Sequence, residues 1–151
     1  MLLVVSITSR STAQFQSKAT PVESISVKDG FKVELLYTVP KEKLGSWVNL
    51  CVDDKNRIIA SDQFGGLYRF PAPKEGKDLD ESTIEKIPAD IRAANGLLWA
   101  FGALYVAVND YERKMESGVY KLTDSNGDDK LDKVEKLRGM EARGDHGVHA
   151  L

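Results

Sequence analysis

Along this chain apolar residues recur with a period of two, in short runs separated by Gly, Pro, Asp and Asn. That rhythm predicts strands and very little helix. Phe31, Val33, Leu35 and Tyr37 alternate with Lys32 and Glu34, which predicts a first strand running to Pro40 whose partner is not local. A short apolar run over residues 47–52 follows, stopped by Asp53-Asp54-Lys55-Asn56, a polar turn of the kind hairpins use. Strands are then expected at residues 57–61, 66–70 and 84–87, and again at 95–101, 103–109, 118–122 and 133–137, with Gly102 as a tight turn. The composition of residues 81–92 would suit a short helix, but Pro88 would break it after about two turns.

The order of strands repeats. Gly66-Leu67-Tyr68-Arg69-Phe70 is answered by Gly118-Val119-Tyr120-Lys121-Leu122, 52 residues on. Ser46-Trp47-Val48, Asn95-Gly96-Leu97 and His146-Gly147-Val148 mark three strand starts, 49 and then 51 residues apart. Four short strands per ~40 to 50 residues is the period of a propeller blade. The expected fold is therefore all-β, a β-propeller, with residues 25–151 supplying two blades and the first strand of a third. Because a propeller closes with roughly four to eight blades, the chain is expected to be an N-terminal fragment. An antiparallel sandwich with evenly spaced strands is the alternative.

The segment 124–135 adds candidate chemistry. Oxygen donors fall at the first, third, fifth, seventh, ninth and twelfth places: Asp124, Asn126, Asp128, the Lys130 carbonyl, Asp132 and Glu135. That register suits Ca²⁺, a hard cation taking six to eight oxygens. It departs from an EF-hand at the sixth place, where Asp129 stands instead of Gly, and in its strand-like flanks. A calcium loop joining two strands and a plain acidic turn both remain open.

Composition narrows the partners. A net charge of −2 on 151 residues offers no basic field for nucleic acid. Cys51 is the single cysteine, which excludes an intrachain disulfide and reads as a small buried residue. The start, Met1-Leu2-Leu3-Val4-Val5-Ser6-Ile7, leading to Ser11-Thr12-Ala13, reads as a signal peptide over residues 1–13 followed by a linker over 14–24, so a secreted or periplasmic location is expected. No other run approaches the ~20 apolar residues of a membrane span.

In a propeller the first strand of each blade lines the central channel, so Ser46, Asn95 and His146 are expected at one mouth of it. Of the three only His146 takes up a proton near neutral pH. It follows Asp145 in a Gly-bounded turn, residues 144–147. A histidine that merely hydrogen-bonds a neighbouring blade is the alternative. His149, three places on, is expected on the opposite face and in packing between blades.

Asn95-Gly96-Leu97-Leu98 and Asp145-His146 resemble the soluble quinoprotein glucose and sorbosone dehydrogenase family. Gly30-Phe31-Lys32-Val33-Glu34, the 124–135 loop and Gly144-Asp145-His146-Gly147-Val148-His149 further resemble large secreted propeller proteins of planctomycete and verrucomicrobial type, described as membrane-bound dehydrogenases or haem-binding proteins. The resemblance covers residues 24–151. It implies a six-bladed propeller oxidising a sugar or small polyol with pyrroloquinoline quinone (PQQ) and Ca²⁺, with His146 as general base, Asp145 beside the cofactor, and a possible haem domain downstream. Ala94 departs from the family pattern, which carries Gln there. The alternative function is a propeller that binds a carbohydrate or protein without chemistry, stabilised by calcium.

Overall fold

A computed structural model describes residues 19–141, 144 and 147–151. The signal-peptide reading of residues 1–13 and the positions of Asp145 and His146 lie outside the described residues. The chain is all-β in character, folding into two four-stranded antiparallel sheets in which strand order is chain order. The first sheet holds β1 (Trp47–Val52), β2 (Arg57–Asp62), β3 (Leu67–Pro71) and β4 (Glu85–Lys86). The second holds β5 (Ala94–Ala100), β6 (Ala103–Val108), β7 (Gly118–Thr123) and β8 (Lys133–Gly139). They are successive meanders, and no strand passes from one sheet to the other.

Local chemistry makes the hairpins. At the β1–β2 turn the Asp53 carboxylate accepts the N–H groups of Lys55 and Arg57, and Asn56 takes a left-handed φ of 59°. Asn tolerates that conformation better than a branched residue does. Between β5 and β6 two residues suffice, Phe101 at φ 52° and Gly102 at φ 69°, as a turn matched to strand twist requires. Phe101 sits at the turn's tip, 96% exposed.

The alternating residues 31–37 form no strand. Alternation supplies a side-chain pattern, but a strand also needs a neighbouring edge for its backbone groups. Here the ties are few: Leu79 N–H donates to the Leu36 carbonyl, and Gly76 N–H to the Glu34 carboxylate. Phe31 stays 73% exposed. Tyr37 anchors the segment instead, its ring 6.0 Å from Trp47, which in turn stacks on Phe70 at 5.2 Å. Residues 81–92 contain one 3-10 turn, Glu81–Thr83, capped by Asp80, and then the two residues of β4.

One core lies between the sheets. Ile59 and Leu67 from the first meet Ala94, Leu104, Val106, Val108, Tyr120 and Leu122 from the second, with Leu131 inserted from the β7–β8 loop. Leu104 and Leu122 are fully buried, and truncating such a leucine to alanine costs about 2–5 kcal/mol.

The repeat is visible in the register. Both first strands carry a bulge at the same place: Trp47 pairs with Asp62 and Asn49 with Ser61, as Ala94 pairs with Val108 and Gly96 with Ala107. The next contact matches too, because Gln63 N–H donates to the Ser46 carbonyl and Asn109 N–H to that of Ala93. Ser46 is therefore equivalent to Ala93, and Asn95 to Val48. The expected equivalence of Ser46 with Asn95 is off by two residues: the bulge is common to both units, and an apolar run alone does not fix which of its residues begins the ladder.

Candidate functional site

The end of both sheets where β2 and β6 finish carries a cavity of about 270 Å³. Its lining is Gln63 and Phe64 from the β2–β3 loop, Asn95 on β5, Asn109 and Tyr111 from the β6–β7 loop, and Gly144 and His149. Gln63 and Asn109 occupy equivalent positions in the two meanders, so the repeat brings two carboxamides to one place. Phe64 and Tyr111 meet edge to face, 6.1 Å apart at 84°. Each loop is shaped by a carboxylate behind it: Asp62 accepts the Ser46 N–H, and buried Asp110 accepts those of Glu112, Lys114 and Met115.

Amides that both donate and accept, beside aromatic faces and an imidazole, suit a neutral ligand rich in hydroxyl groups. No lysine or arginine lines the cavity among the described residues. PQQ is a tricarboxylate and needs cationic partners, so the described lining does not fit it. Ala94, where the family pattern has Gln, is fully buried in the core. A larger recess of about 650 Å³ opens beside Asp110, Lys114 and Glu116. Two of its charges are already matched, Lys114 to Glu112 and Glu116 to Lys136.

The residues predicted to converge behave unevenly. Asn95 lines the cavity, whereas Ser46 lines a different recess beside Tyr37 and Trp47. His149, expected in packing, lines the cavity. Its carbonyl oxygen would lie 2.5 Å from a Cβ placed on Gly96, while one repeat earlier Asn49 Nδ2 donates to the Asn95 carbonyl at 2.7 Å. Asn49 and Gly96 are equivalent, so their partners Asn95 and His149 are too. What would have found His149 is the equivalence of Asn49 with Gly96, which strand pairing fixes and the apolar pattern does not record.

The 124–135 loop turns inward on itself. Burial pushes the Asp124 carboxyl upward, but N–H donors from Asn126, Asp129, Gly127 and Asp128 outweigh it and hold the group below its ordinary value. Asn126 Oδ1 accepts the Asp128 N–H, Asp128 pairs with the Lys130 ammonium, the Lys130 carbonyl accepts the Asp132 N–H, and Asp132 accepts from Ser125. Glu135 lies on β8 opposite Lys121, exposed. The donor chemistry suits a hard cation, but among the described residues no three acidic, His or Cys groups are gathered to hold one.

Asp129, at the loop's sixth place, reaches out of it. Its carboxylate takes Arg57 Nη1 at 2.5 Å and Nη2 at 2.9 Å, and Lys55 at 2.8 Å, while its carbonyl accepts from Arg69. Arg57 first, then Lys55, hold its carboxyl well below the usual carboxylate range. Sequence spacing read Asp129 only as a departure from calcium loops; it ties the second sheet to the first.

No protein-family model matches the chain, and no curated protein or solved structure matches it either. Among the described residues no helix is long and apolar enough to cross a membrane.

Proposed function

We propose that this chain contributes two blades to an exported β-propeller that binds a small polyhydroxylated molecule of the sugar class. The carrying observation is the cavity that joins Gln63, Asn95, Asn109, Phe64, Tyr111 and His149 at one end of both meanders. The radial arrangement is supported by the repeated contact from Asn49 to Asn95 and from Gly96 to His149. It is supported also by β1, whose Val48, Leu50 and Val52 are 42%, 63% and 53% exposed on the face away from β5. An apolar stripe of that kind suits a further sheet packed on it.

A second reading, oxidation of the bound sugar in the manner of the quinoprotein dehydrogenases, is favoured by one observation: Gly144 and His149, which bracket Asp145 and His146 in sequence, both line the cavity. In that reading a neutral His146 imidazole takes the proton of the hydroxyl being oxidised. PQQ would supply the electron acceptor when bound, and residues other than the described lining would have to hold it, since that lining does not fit it. A structural Ca²⁺ in the 124–135 loop is compatible with both readings.

The test is a panel of aldoses and linear polyols titrated into isotopically labelled protein. Binding at the cavity should move the side-chain amide signals of Asn95 and Asn109 and the imidazole signal of His149, saturably. No saturable change with any of them overturns the proposal. Dye-linked sugar oxidation in the presence of PQQ and Ca²⁺ separates the readings: turnover that falls about 100-fold in His146→Ala establishes the catalytic one, and its absence leaves binding alone.

A further inference from the structure

Asn109 is 4% exposed and stands immediately after β6. Its backbone N–H is committed to the Ala93 carbonyl, so its Cα is held by the sheet. The side chain turns the other way, and Nδ2 donates to the Gly144 carbonyl at 2.6 Å. Gly147 closes on the same carboxamide. A Cβ on Gly147 would fall 2.1 Å from Asn109 Oδ1 and 2.5 Å from Cγ, closer than any side chain tolerates. Two residues further, the His149 carbonyl rests against Gly96, where a Cβ would again intrude. The segment is thus fastened at three described points, and two involve one buried amide.

Burying a carboxamide is costly unless its hydrogen bonds are made. Among the described residues Asn109 Oδ1 has no hydrogen-bond partner, so the bonds that Asn makes there do not by themselves repay its burial. An apolar residue of similar volume would avoid the desolvation. What Asn supplies is a directed bond to the one segment that carries both histidines of the chain.

We infer that Asn109 is a positioning residue: its side-chain amide pins the Gly144 and Gly147 backbone to the end of β6 and so sets where the imidazole-bearing segment meets the cavity. This rests on the ligand-site reading only for its purpose, because the fastening itself is measurable without any ligand. The second glycine follows from it, since Gly147 is the residue that lets the chain pass over the Asn109 side chain.

The experiment uses the whole chain. With two histidines, each imidazole gives one set of nitrogen and carbon signals, assigned through His149→Gln. In the native protein the Gly144 and Gly147 amides should show order parameters of about 0.85, like strand residues. In Asn109→Ala they should fall below about 0.6, with the His149 imidazole signal moving toward its free-histidine position. Signals of Val106 and Leu122 should stay in place. Gly147→Ala, which leaves Asn109 intact and alters only the segment, should reproduce the change and covers the case in which Asn109→Ala does not fold. The inference is overturned if Gly144 and Gly147 are already mobile in the native protein, or if the His149 imidazole signal is unchanged in the variants. Failure of sugar binding with the fastening intact would sink the ligand-site reading and leave this one standing.

Discussion

The His149 carbonyl oxygen lies where a side chain on Gly96 would begin, 2.5 Å from its Cβ position. Backbone thus passes directly over backbone, as the start of a third repeat would pass the second. Gly96→Ala should push residues 147–151 away from β5, because Ala107 on the neighbouring strand leaves no room on its other side, 3.1 Å off. Overpacking of this kind costs about 1–3 kcal/mol. Hydrogen exchange should speed up at residues 147–151 more than at β7, and unchanged exchange there would refute the contact.

The Asp129 clamp should carry acid sensitivity. A carboxyl held low by Arg57 and Lys55 stabilises the fold fully above its unfolded value of about 3.9, and loses that contribution as pH falls through its lower folded value. Asp129→Ala should cost about 1–2 kcal/mol at pH 7, discounted because the group is 43% exposed and because Arg57 and Arg69 keep Asp53 and Glu85. Urea melts should show the difference between wild type and variant constant down to about pH 4 and shrinking below it. A difference independent of pH would rule out the carboxylate as its source.

Calcium should compete with the loop's internal bonds. Binding requires Asp128 to leave Lys130 and Asp132 to leave Ser125, so affinity should rise in Lys130→Ala and fall in Asp124→Ala. Calorimetric titration with Ca²⁺ checks both. No heat of binding in wild type or Lys130→Ala would make the segment an acidic turn whose work is done by Asp129 and Leu131.

Cys51 should be chemically quiet. Burial first, and then the nearby Asp53 charge, push its thiol up to about 11. The thiolate is the reactive form, so alkylation of native protein at pH 8 should be far slower than in urea. The raised value also has a stability consequence: the contribution is complete below the unfolded thiol's ~8.5 and is lost as pH rises toward about 11. Cys51→Ala should remove that alkaline loss, and a variant that melts in parallel with wild type from pH 8 to pH 11 would contradict it.

By itself the sequence determined the strands that have neighbours in the chain. Residues 47–52, 57–61, 66–70, 103–109 and 118–122 could be read because alternation and turn chemistry are local, and a meander pairs each strand with the next. The two-unit repeat was legible for the same reason, in Tyr68 and Tyr120 and the residues around them. Tertiary structure decided whatever depends on a distant partner. Residues 31–37 alternate like a strand and find no edge; Asp129, a misfit in a calcium register, finds Arg57 across the sheets. It also decided the cavity, since strand pairing makes Ser46 equivalent to Ala93 rather than to Asn95, and the packing of the chain past β5 sets His149 beside Asn95 and Asn109. Which residue of an apolar run begins a ladder is set by the hydrogen-bonded neighbour and not by hydropathy, so the pattern along the chain does not record it.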